Sequence, residues 1–79
     1  DPADPELQAL AAWTAGIAAL AGGALAQSEQ CLVRAHDGFA AAGDRQHAAE
    51  TLVPRIVALA MAGRDAEAVA CGETARARF

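Results

Sequence analysis

Residues 22–39 read GGALAQSEQCLVRAHDGF, and residues 62–79 read AGRDAEAVACGETARARF. Set forty positions apart, they match at Gly23/Gly63, Ala26/Ala66, Cys31/Cys71, Ala35/Ala75 and Phe39/Phe79. The same offset pairs Asp4 with Asp44, Ala9 with Ala49 and Ala18 with Ala58. Alanine matches carry little weight in a chain with 24 alanines among 79 residues. The glycine, cysteine, phenylalanine and aspartate pairs carry more, because they fall at turns, at helix starts and at one place on a helix. A period near forty with two helices per unit marks an α-solenoid, in which each unit stacks on the next. No other feature limits the possible folds as strongly.

Composition agrees with an all-α fold. Alanine is the strongest helix former and lets helices pack closely. It supplies 24 of the 43 hydrophobic residues, and the large apolar side chains are few. A chain this short buries only about 60% of its unfolded surface, so one small, marginally stable domain is expected.

Asp4-Pro5-Glu6 is a helix start: Asp caps, Pro suits the first turn, and Glu complements the positive end of the dipole. A first helix is expected over about residues 5–21, stopped by Gly22-Gly23. A second is expected over about residues 24–42, with Leu25, Leu32, Ala35, His36 and Phe39 near one face. Gly43-Asp44 closes it and caps a third, over about residues 45–62. There Leu52, Ile56 and Leu59, with Val53, Val57 and Ala60, form a broad apolar stripe. Pro54 removes a backbone donor, which predicts a kink or broken turn between Glu50 and Pro54. Gly63 ends that helix, and Asp65 is expected to cap a fourth running to Phe79. Turns this short make neighbouring helices antiparallel.

The net charge is −4 and there is no basic stripe, which argues against a nucleic-acid partner. Arg76 and Arg78 sit where a helix would end, a favoured place for cations. Residues 9–26 carry no charge, but they are mostly Ala and Gly, and Asp1, Asp4 and Glu6 precede them. Neither a signal peptide nor a spanning helix has that pattern, so no membrane role is expected. All six basic residues are Arg, and Lys, Tyr and Asn are absent, a bias suggesting a GC-rich bacterial genome. The first residue is not Met, which suggests a piece of a larger protein. Two cysteines outside any metal-ligand spacing suggest reduced thiols and a cytoplasmic location.

The run AMAGRDAEAVACGETARARF resembles the second half of a tetratricopeptide repeat. Its turn Ala62-Gly63-Arg64-Asp65 is followed by Glu67-Ala68-Val69. The stretch Phe39 to Arg45 is similar to the linker of longer, forty-residue bacterial variants. The resemblance covers about residues 10–79 and implies two helix-turn-helix repeats, about 5–43 and 44–79, forming an α-solenoid fragment. It departs from the family pattern in several places. The small residue of the first helix is Gly16 but Ile56 in the second repeat. The large residue of the second helix is Leu32 but Gly72. Ser28 and Ala68 occupy the small position of the second helix, and Ala19 and Leu59 replace an aromatic.

The resemblance implies a non-catalytic scaffold whose first helices line a groove for a peptide or a partner's helix. Position by position, the groove residues are Leu10, Trp13, Ile17 and Leu20 from repeat one, and Glu50, Val53, Val57 and Met61 from repeat two. Trp13 is either an anchor there or core between the first and third helices. About three repeats are usually needed for stability, so homo-oligomerisation or a missing neighbour is expected. A four-helix oligomerisation bundle is the rival within the same physics; an enzyme or metal-binding bundle is the rival outside it.

Catalytic and metal chemistry have thin support, and no cofactor is expected. Cys31, His36 and Asp37 invite a nucleophile reading, but residues five apart do not face each other on a helix. His47 and Glu50 could share a metal only with further ligands. Cys31 and Cys71 should lie on neighbouring helices too far apart for a disulfide, as two packed thiols. The glycine turns lack the Gly-Lys-Ser or Gly-Lys-Thr of a phosphate loop.

Overall fold

The computed structural model describes residues 4–79; Asp1, one of the three acidic residues before the uncharged stretch, lies outside them. The fold is all-α: α1 (Pro5–Ala21), α2 (Leu25–Ala41), α3 (Arg45–Glu50), α4 (Leu52–Met61) and α5 (Asp65–Arg78). No strand occurs among the described residues. α3 and α4 together form the expected third helix, divided at Thr51 inside the stretch where Pro54 predicted a break. Pro54 falls in the first turn of α4, where an amide N–H has no intrahelical acceptor. The break leaves Thr51 fully buried, its hydroxyl donating to the Ala48 carbonyl at 2.6 Å.

Three turns share one design. Gly23, Gly43 and Gly63 have φ near +80°. Around each, the glycine N–H bonds back three residues and the next N–H bonds back five, as Asp44 does to Phe39 at 2.9 Å. This is the Schellman closure. The residue after the glycine then becomes the next helix's cap. Asp44 fills that place and accepts the His47 amide at 3.0 Å. In the last turn the cap is Arg64, so Asp65 lies in the first turn of α5 and does not cap it, contrary to expectation. The turn geometry puts the cap directly after the glycine, and Asp65 is one residue late.

α1 and α2 run antiparallel: Ala9 lies against Gly38, whereas Gly16, further along α1, meets Leu32, earlier on α2. The envelope is 38 × 29 × 13 Å. Its thin dimension matches two helix layers, since axes pack about 8–10 Å apart. Ala9, Ala12, Ala35, Phe39 and Ala48 form one core cluster, with Trp13 against it. Leu52, Leu59, Ala68, Cys71 and Ala75 form a second, with Ile56 against it.

The departures at Gly16 and Gly72 are a size exchange. A Cβ on Gly16 would lie 2.8 Å from Leu32, so the side chain of α2 fills the space that glycine leaves in α1. Forty residues on, the large residue is on the other helix: Ile56 of α4 reaches over Gly72 of α5, whose added Cβ would sit 3.8 Å from it. A second difference opens space. Gly38 lets Ala9 approach so closely that a Cβ there would lie 2.9 Å from the Ala9 methyl. The residue forty positions later is Arg78, opposite Ala49. A cleft of about 990 Å³ lies there, lined by Arg45, Gln46, Ala48, Ala49, Arg78 and Phe79 among others.

Candidate functional site

The eight expected groove residues divide by exposure. Leu10 and Ile17 of α1 are exposed, as are Val53, Val57 and Met61 of α4. Trp13, Leu20 and Glu50 are half-buried. The wide apolar stripe of the third helix is therefore shared between two surroundings. Leu52 and Leu59 enter the core, Ile56 packs on it, and Val53 and Val57 face outward. A shallow depression of about 380 Å³ holds two of the eight, Trp13 and Ile17, with Thr14, Ala18 and Ala21, all from α1.

Trp13 does two things. Its ring meets Phe39 edge-on at 5.8 Å and His47 at 5.8 Å, while Phe39 and His47 stack at 5.1 Å. That trio joins α1, α2 and α3 across the boundary between the repeats. Trp13 also lines the depression. Its indole nitrogen is buried without a hydrogen-bond partner, an arrangement that costs about 1–3 kcal/mol.

His47 is thus a packing residue. Its Nδ1 lies 2.6 Å from an Asp44 carboxylate oxygen. The His47 backbone N–H, chiefly, and its ring hold the Asp44 carboxyl below the ordinary range. Among the described residues, no group of three or more His, Cys, Asp and Glu side chains could hold a metal ion. His36 turns toward Asp37 at 3.3 Å and Arg78 at 3.2 Å. Both cysteines are free thiols. Each packs within its own helix pair: Cys31 beside Gly16, and Cys71 with its Sγ 3.6 Å from the Leu52 carbonyl. Burial pushes the Cys71 thiol up.

A polar tie also crosses between the repeats. Glu29 of α2 pairs with Arg64 and lies 3.8 Å from Arg55, and Arg64 also pairs with Glu67. Glu67, through the Arg64 side chain, is held below its usual range, and Arg64 is pushed up by Glu67 first and Glu29 second. Sequence reasoning missed the link to Glu29 because, unlike the i,i+3 pair Arg64–Glu67, it has no periodic relation; Glu29 and Arg64 stand 35 positions apart. No helix among the described residues is long and apolar enough to cross a membrane. The chain matches no protein-family profile, no curated protein and no solved structure.

Proposed function

We propose that the chain is a non-catalytic protein-interaction scaffold, a tetratricopeptide-like pair of repeats that holds a peptide or helix of a protein partner against its first helices. One observation carries this reading: the outward apolar residues of α1 and α4. Ile17 and Val57 stand forty positions apart and are 46% and 45% exposed. Leu10 and Met61 extend the two lines. Isolated exposed apolar side chains are ordinary, but such lines on neighbouring elements favour a docked partner. The occupant that fits is an amphipathic helix or apolar peptide. A cytoplasmic setting belongs to the same proposal, on the free thiols.

The test is selection of binders from a displayed library of amphipathic helical peptides, followed by titration against variants. Ile17→Asp and Val57→Asp should weaken a selected peptide about tenfold or more, with helix content unchanged. Selected peptides that bind both variants as tightly as the parent would remove the groove. A closed dimer that shields Ile17 and Val57 from solvent would instead favour the oligomerisation bundle, whose support is the same apolar lines.

A further inference from the structure

The contact between the two repeats inside the chain is a template for a contact between chains. Phe39, Trp13 and His47 form its ring cluster. Shifted by forty residues, Phe39 becomes Phe79 and Trp13 becomes Val53. Shifted back by forty, His47 becomes Leu7. All three counterparts are exposed: Phe79 68%, Val53 51% and Leu7 52%. The polar tie behaves likewise. Glu29 corresponds to Val69, which is 61% exposed, and its partner Arg55 corresponds to the exposed Ala15. The buried Thr51 corresponds to the exposed Ala11. Phe39, Glu29 and Thr51 are thus covered where their counterparts Phe79, Val69 and Ala11 are exposed. There the ring cluster and ion pair are replaced by apolar side chains, so burying them would strand no charge.

We propose that this chain stacks head to tail on itself. α1 of a second copy lies chiefly along α5 of the first and only touches α4, as α3 and α4 lie chiefly along α2 and only touch α1. Leu7 of one copy then packs on Phe79 and Val53 of the next, and Ala15 meets Val69. Charge supports the same orientation. In the stacked pair, the acidic start of α1, its cap Asp4 and first-turn Glu6, comes to the cleft bordered by Arg45 and Arg78. A contact between two different faces leaves one of each free on every pair, so copies go on adding, in an open row or, where the rotation between copies closes, in a ring of more than two. The surface shares Val53 with the expected groove but excludes Ile17 and Val57, so variants at those two positions separate stacking from the groove.

Sedimentation velocity over about ten micromolar to one millimolar tests it, a range suited to a small interface. The mean mass should rise past two chains without levelling at a dimer. Leu7→Asp and Val69→Asp, both at exposed sites, should each weaken association about tenfold or more while circular dichroism stays unchanged. Mixed together, the two variants should form a heterodimer, because each retains the face the other lacks. Val57→Asp should stack like the parent. A single-chain mass throughout, a dimer that does not grow, variants that stay monomeric when mixed, or loss of stacking in Val57→Asp would each overturn the proposal.

Discussion

Gly16 shows how much one missing methyl decides. Leu32 lies where a Gly16 Cβ would need to be. It is fully buried, so it cannot move aside into solvent. Gly16→Ala should destabilise the fold by about 1–3 kcal/mol despite alanine's better helix propensity. Leu32→Ala alone should cost about 2–5 kcal/mol through the cavity it leaves. The double variant should cost clearly less than the two together, because the new methyl enters the vacated space. Strict additivity in urea denaturation would show that the two side chains do not compete for one volume. The exchange with Ile56 and Gly72 was visible in the sequence as two unrelated departures. Only contact between the helices shows that they compensate.

At the level of elements, the three Schellman turns set where every helix ends and the next begins. Gly22 and Gly23 make the point within one dipeptide. Gly22 has φ −84°, and a Cβ there would meet nothing nearer than a carbonyl oxygen at 3.6 Å. Gly23 has φ +80° in open space. Gly22→Ala should therefore stabilise by about 0.4–1 kcal/mol, by narrowing the unfolded ensemble. Gly23→Ala should destabilise by about 1–2 kcal/mol, the cost of left-handed backbone with a Cβ. Thermal melts of the pair would read this directly; equal shifts of the same sign would contradict the turn assignment. These boundaries were legible beforehand because glycine and proline act locally. Asp65 was misjudged as a cap because its cap chemistry is right while its place relative to the glycine is wrong.

For the whole molecule, the junction between the repeats matters most. Trp13, Phe39 and His47 hold α1, α2 and α3 together, so Trp13 cannot be altered only as a groove residue. Trp13→Ala should cost about 2–4 kcal/mol, a large share of the stability of a domain this small. Circular dichroism near the unfolding midpoint will show that loss as reduced helix content. A melt indistinguishable from the parent would mean the ring cluster contributes little. Among the described residues, Leu7, Val53, Val69 and Phe79 have no such junction over them and stand exposed.

The amino-acid sequence determined the helices, their turns, the break near Pro54 and the forty-residue correspondence, because each rests on local backbone preferences and on periodic spacing. It also named the apolar positions Leu10, Ile17, Val53, Val57 and Met61, which stand exposed. It could not divide those positions between core and surface, since Leu52 and Val53 are equally apolar and differ only in which neighbour α4 meets. The tertiary structure alone decided that division, along with the Gly16–Leu32 exchange, the Glu29 ion pairs and the role of His47. The Gly16–Leu32 exchange and the Glu29–Arg64 pair join residues 16 and 35 positions apart, and distances across helices follow from packing rather than from any pattern along the chain.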